Sequence, residues 1–380
     1  MKENVLDPSV RQAEFRAKLE RIRAFMNKKG WRGVALSSQA LFAWATAGGD
    51  NHVNQAGEFG IAHLLVTGDS VAVLSNNIEI HRLKEEEFHG IDASGIEFWS
   101  CPWYEDAAIV AEIQQRMKGK TYGSDSGIAG STGVDDEFWA TTYTLTDAEI
   151  DKYRRLGKDC SQAMEAALSD VKPGITEQAI AGRICNALLE RLVRPHVILV
   201  ASDERVFNYR HPIPTEKKFK KHLMAVLCGK RHGLIINLTR MLHVAKKLPE
   251  DLQRKHTACC EVDVALNTSS TVGRPMKDVL ADGVATYEQH GFGGEWKLHH
   301  QGGPTGYQGR SYRATPTEKR TVLERQAFAW NPSITGTKSE DTILVRDGGI
   351  EFLSAPTRDW PTLTVKRNGT TYKRADIKLM

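Results

Sequence analysis

The residues of this chain best equipped for chemistry are His211 in Tyr209-Arg210-His211-Pro212, His300 in His299-His300-Gln301-Gly302-Gly303, and Glu340 in Lys338-Ser339-Glu340-Asp341-Thr342. An imidazole titrates near neutrality, so His211 and His300 can each take up or deliver a proton during a reaction. Glu340 is the natural electrostatic partner of His300, since a carboxylate in contact with an imidazole raises its basicity. Gly302 and Gly303 let a backbone or ligand come close to that histidine. Gly309-Arg310 supplies a guanidinium fork, which grips a carboxylate through two parallel hydrogen bonds, and Arg313 competes for the task. Asn237 and Asn331 offer amide oxygens that orient a polar substrate but carry no charge. Singly, each of these is also an ordinary loop residue. Their order along the chain gives the set its weight.

Those segments, with the strands before them, resemble the motifs of the creatinase, prolidase and aminopeptidase P superfamily over most of the chain. In its metal-dependent members an Asp sits in an Asp-x-Gly turn and a second Asp precedes a Thr-Arg pair. A His then opens His-x-x-Gly, a Glu precedes Pro, and a last Glu precedes Asp-Thr. Laid on this sequence in order, the positions become Leu227 before Cys228-Gly229, Asn237 before Leu238-Thr239-Arg240, His300, Asn331 before Pro332, and Glu340. The resemblance implies an α/β (α+β) protein: a small N-terminal creatinase-like α/β domain, residues 1–145, followed by a C-terminal pita-bread domain, residues 146–380. It also implies a homodimer.

Charge bears on whether such a site still holds metal. Divalent cations need anionic oxygens or imidazoles in a closed shell, and neighbouring carboxylates make two adjacent cations tolerable. One His and one Glu do not provide that, two Asn amides add no charge, and Leu227 adds nothing. The expectation is no metal and no cofactor. Creatinase, a metal-free member, has a Gly-Arg soon after its His-x-x-Gly that holds the substrate carboxylate, and Gly309-Arg310 sits comparably. Creatinase also keeps glutamates at the position of Asn331 and immediately before the arginine matching Arg240, where this chain has Thr239. Their loss argues against a guanidinium substrate, because a buried cation without compensating charge is costly.

The resemblance therefore implies His211, His300 and Glu340 as catalytic residues and Asn237, Arg240, Arg310 and Asn331 as substrate-binding residues. The expected function is metal-independent hydrolysis of a C–N bond in a small amide, urea-like or carboxylate-bearing substrate. A non-catalytic pita-bread binding protein is the alternative, and an Xaa-Pro aminopeptidase or dipeptidase using metal is the third.

Composition narrows the partners. A net charge of +4 over 380 residues, with scattered Lys and Arg, leaves no basic face for nucleic acid. The start of the chain lacks a signal-peptide apolar stretch and no run reaches the length of a membrane span, so no membrane partner and a cytoplasmic location are expected. The six cysteines form no Cys-x-x-Cys and read as reduced thiols. A small-molecule substrate is the expected partner.

The elements that must position the site follow from local signals. An opening helix carries Phe15, Leu19, Ile22 and Phe25 on one face and stops at Lys29-Gly30. Apolar runs at 34–36, 63–66 and 71–74 are strands, and Lys84–Glu87 is a solvated helix face. Thr146-Asp147-Ala148-Glu149 has capping-box form, so a helix starts there and runs to the Lys172-Pro173-Gly174 break, after which Thr176 caps another. Strands at 197–201, 224–227 and 234–236 lead into Asn237, followed by helices between Pro249 and Val272 and from Met276 to His290. Asn368-Gly369 is a hairpin turn flanked by Lys366-Arg367 and Lys373-Arg374, read as a solvated terminal hairpin.

Overall fold

A computed structural model describes residues 7–380. Two compact units divide the chain, one ending at Thr142 and the other running Tyr143–Met380.

In the first unit the helix Pro8–Lys29 is capped by Asp7, whose side chain accepts from the Ser9 and Val10 N–H groups, and it ends at Gly30 in the left-handed region. Phe15, Leu19, Ile22 and Phe25 are all buried, as their spacing predicts. The sheet has six strands, ordered Ile96–Cys101, Val71–Asn76, Phe59–Thr67, Gly33–Ser38, Tyr122–Ser124 and Thr132–Gly133. Its pairing is mixed: Gly33–Ser38 runs antiparallel to Phe59–Thr67 and parallel to Tyr122–Ser124. The charged Lys84–Glu87 run departs from its expectation at one residue. Lys84, Glu85 and Glu86 are exposed, but Glu87 turns inward to accept from Arg82 and from the Asp50 N–H.

The second unit opens on the capping box, formed as expected between Thr146 and Glu149, and the helix Asp147–Ser169 follows. Leu145 is already tied in, its N–H donating to the Arg325 carbonyl. Thr176 caps the helix Glu177–Leu189. The sheet then takes its main strands in the order Gly302–Thr305, Ala327–Trp330, Asp341–Arg346, Leu234–His243, His222–Arg231 and Arg194–Ser202, with neighbours antiparallel. Helices Glu250–Ser269 and Met276–Gln289 pack on it through Val262, Leu266, Val279 and Leu280 against Phe328, Trp330, Ile343 and Val345. At Asn368 (φ 49°) and Gly369 (φ 77°) the chain makes the left-handed pair that a tight hairpin needs, between Thr362–Arg367 and Thr370–Ala375.

That hairpin is not wholly solvated. Arg374 is fully buried, its guanidinium 2.6 Å from Asp263 and 2.8 Å from Asp341. A charge removed from water in this way needs partners on every side, and Asp263 also accepts from Ser339. Among the described residues no helix is long and apolar enough to cross a membrane.

Candidate active site

Side-chain parity along two paired strands builds the floor of the site. In Leu234–His243 the residue Asn237 pairs with Cys228 of His222–Arg231, and Thr239 pairs with Val226. Neighbouring side chains on a strand point to opposite faces. A Cβ at Gly229 would meet Cys160 Sγ at 2.6 Å, so odd positions of this strand face the helix Asp147–Ser169. Even positions face the cavity. The residue opposite Asn237 in the site is therefore Cys228, and Leu227 is buried on the helix side. Placing Leu227 at the first motif position is corrected by one residue, which flips the side chain to the other face.

The cavity encloses about 170 Å3 and is lined by Val197, Leu199, Val226, Cys228, Asn237, His196, His211, His300, Arg310, Asn331, Lys338 and Glu340. This is smaller than the roughly 300–1,000 Å3 of drug-sized sites and suits a ligand of few heavy atoms. His211, His300, Glu340, Asn237, Arg310 and Asn331 are thus brought together. Arg240 is not. Its side chain is fully buried, donating to Glu165 at 2.8 Å, Asp341 at 3.0 Å and the carbonyls of Thr239 and Ser354. With four of its five N–H groups so committed and no place in the cavity lining, Arg240 is a structural cation and its substrate-binding assignment is withdrawn.

Glu340 is the electrostatic centre. One of its oxygens accepts from Thr239 Oγ1 at 2.8 Å and lies 3.2 Å from Lys338 Nζ, and the other is 3.2 Å from Arg310 Nη2. Burial pushes its carboxyl up, but Lys338 and Arg310 outweigh that and hold it below its ordinary range. None of its hydrogen bonds goes to His300, so the expected strengthening of that imidazole fails. Burial, followed by Arg310, His211, Lys338 and Arg313, instead pushes His300 down to about 4. His211 is lowered as well, first by burial and then by Lys338, with Glu340 opposing. Both imidazoles are neutral bases at neutral pH.

The remaining groups are mostly committed. Cys228 Sγ donates to Asn237 Oδ1 at 2.9 Å, and burial pushes its thiol up to about 12, so it stays protonated. Asn237 Nδ2 donates to Thr305 at 3.1 Å. Asn331 Oδ1 is buried without a partner, an acceptor awaiting a donor. Arg310 Nη1 donates to its own Gly309 carbonyl at 2.6 Å, while Nε is buried and unpaired. Its fork is therefore only partly free. Arg313 is exposed.

His300 is held by local backbone geometry. Gly302 (φ 106°) and Gly303 (φ 150°) adopt left-handed conformations, and Cβ atoms there would meet Ala329 O at 2.2 Å and Tyr312 O at 2.4 Å. Only glycine fits both demands. His299 Nε2 lies 3.1 Å from His211 Nε2, which orients the mouth histidine.

Lys338, Cys228 and His299 were not singled out from the sequence. A signal for Lys338 was present, because it stands two residues before Glu340 in an extended segment, where alternate side chains share a face. Cys228 required the strand pairing.

A model of metallopeptidase family M24 matches residues 151–347, just over half of the chain. The chain belongs to metallopeptidase family M24. An uncharacterized peptidase of Staphylococcus aureus (strain MW2) is 21% identical over 218 residues, spanning 55% of this chain and 62% of that relative's length. The fold is similar to the prolidase of Pyrococcus horikoshii OT3 (18% identity, TM-score 0.74, covering 90% of this chain and 99% of that one). It is similar also to dipeptidase PepE of Mycobacterium ulcerans (13% identity, TM-score 0.76, covering 97% and 98%). The creatinase, prolidase and aminopeptidase P resemblance and the mixed α/β pita-bread fold are thereby established.

The family name implies metal, and the donor set of this M24 member does not fit a dinuclear centre. Cys228 offers a single thiol where a carboxylate is expected, Asn237 and Asn331 are uncharged amides, and His300 is one imidazole. The one carboxylate, Glu340, is already neutralised by Lys338 and Arg310. Two adjacent dications would meet no free anionic charge and a buried ammonium.

Proposed function

We propose that this M24 member hydrolyses the C–N bond of a small, peptide-like amide bearing a carboxylate, without a dinuclear metal centre. The observation that carries this is the Lys338 ammonium and Arg310 guanidinium converging on Glu340 in a cavity also lined by neutral His211 and His300. Cationic charge that a metal would supply is built from side chains there. A water molecule gives a proton to a neutral imidazole, His300 or His211, as its oxygen bonds to the substrate carbonyl carbon. Lys338 stabilises the oxyanion, and the free part of the Arg310 fork holds the substrate carboxylate. The imidazolium then returns the proton to nitrogen as the C–N bond breaks, leaving an amine and a carboxylic acid. Asn331 Oδ1, unpaired in the cavity wall, accepts from the substrate amide N–H. A homodimer in the cytoplasm remains part of the proposal.

Family membership and the prolidase and dipeptidase names of its structural neighbours support a peptide over a creatine-like substrate. They equally favour a second reading, an Xaa-Pro-type metallopeptidase. Dipeptides including Xaa-Pro, N-acyl amino acids and ureas should be screened for turnover with and without chelator. Turnover unaffected by chelator supports the proposal. Turnover only with added Mn2+ or Co2+ supports the metallopeptidase, and saturable binding without turnover supports a non-catalytic cleft.

A further inference from the structure

Beside the charges around Glu340, three imidazoles cluster at the cavity: His211, His299 and His300 offer nitrogens that all lie within 4.8 Å of one another. Ring centroids are 4.6 Å apart for His299 and His300, 4.8 Å for His211 and His299, and 5.5 Å for His211 and His300. The Nε2 atoms of His211 and His299 face each other at 3.1 Å. Two imidazole nitrogens on one tetrahedral Zn2+, each at roughly 2.0–2.1 Å, stand about 3.3 Å apart. That pair is already within a few tenths of an ångström of a chelating separation, and His300 needs a modest side-chain rotation to join it.

Two further observations point to a ligand. His300 Nδ1 is buried with no hydrogen-bond partner, a costly condition that a bound cation would relieve. His299 Nδ1 lies 3.4 Å from Ser333 Oγ, the outer contact that orients a ligating imidazole and leaves its Nε2 for metal.

We propose that His211, His299 and His300 form a tris-imidazole site for one borderline divalent cation, Zn2+ foremost, and that the bound ion inhibits the enzyme. Inhibition follows because the ion takes the lone pairs of both proton-transfer imidazoles; that half rests on the function proposed above, whereas binding does not. The site differs from the family's dinuclear arrangement in needing no carboxylate and in sharing only His300 with it. Lys338, Arg310, Arg313 and Arg210 repel a dication there, with Glu340 and the Glu295 carboxylate on Arg210 as the offsetting charges. Binding is therefore reversible and set by ambient Zn2+, unlike a permanent structural zinc.

The test titrates the full-length, chelator-treated protein with ZnCl2 by calorimetry and with CoCl2 by visible absorption. Expected are one ion per chain and intense tetrahedral-type Co2+ bands. His299→Gln, which retains a polar side chain, should weaken Zn2+ by at least the roughly 10–100-fold that losing even an outer partner costs. Asn331→Ala should leave Zn2+ affinity close to the parent, although Asn331 belongs to the family motif. No saturable binding of either ion, or equal Zn2+ affinity in His299→Gln with its thermal unfolding unchanged, overturns the site. If Zn2+ binds with this histidine dependence yet leaves chelator-resistant turnover unchanged, the site stands and the proton-transfer roles fall.

Discussion

Replacing Lys338 by Met tests the electrostatic centre directly. Lys338 and Glu340 have side chains only 3% and 2% exposed, with Nζ 3.2 Å from the carboxylate. At that separation and an effective dielectric of about 20, the attraction is about 5 kcal/mol before desolvation. Removing one partner of a buried pair costs about 3–5 kcal/mol, because the other charge is stranded. Glu340 keeps Arg310 at 3.2 Å and the Thr239 hydroxyl at 2.8 Å, so a cost at or just below the foot of that range, about 2–3 kcal/mol, is expected at neutral pH. For a unit of this size that is a fall in Tm of roughly 4–12 °C. The pH dependence follows from Glu340, whose folded-state carboxyl is held below its usual 4.5. A depressed carboxyl contributes stability above the unfolded value and loses it as pH falls through the folded value. Without Lys338, burial dominates and the carboxyl rises, reversing that contribution. The Tm gap between parent and variant should be widest near pH 7 and close below about 4.5. Thermal unfolding followed by circular dichroism across pH measures it, and adding Glu340→Gln should recover much of the loss. An equal Tm at pH 7, or a gap that ignores pH, would refute the placement of an ion pair at the heart of the site.

His300→Gln should fold while the chemical step falls by roughly 10²–10⁴. Because burial pushes His300 down to about 4, the parent's activity should hold as pH drops through the ordinary imidazole range and decline only as pH approaches that value; a limb above 6.5 would show a strengthened imidazole instead. Arg310→Lys should raise the Kd of a carboxylate-bearing ligand about tenfold, since a point charge does not reproduce the fork, and unchanged affinity would move the role to Arg313 or remove it. Arg240→Met strands Glu165 and leaves Asp341 only Arg374 as a cation, and should destabilise by about 3–5 kcal/mol in urea unfolding, with ligand affinity of the folded fraction preserved; the converse result would return Arg240 to the substrate site.

What the sequence determined by itself was whatever depends on near neighbours along the chain. The Thr146–Glu149 capping box, the Gly30 stop and the Asn368-Gly369 turn are local hydrogen-bond and φ preferences, and each stands where its residues put it. Ordered motifs gave the superfamily, and with it the cavity positions of His211, His300, Asn237, Asn331 and Glu340. Tertiary structure decided the rest. Which of Leu227 and Cys228 faces Asn237 depends on cross-strand register, which a one-residue slip inverts. Arg240 and Arg374 look like available cations in the sequence, but their partners Glu165, Asp263 and Asp341 arrive from helices and strands far along the chain. Glu340 pairs with Lys338 and Arg310 rather than with His300, and burial first, then the nearby Arg310 charge, made His300 a weaker base where a stronger one was expected. Charge acts through space, so the proton affinities of the site were settled only when the chain brought those groups within a few ångströms of one another.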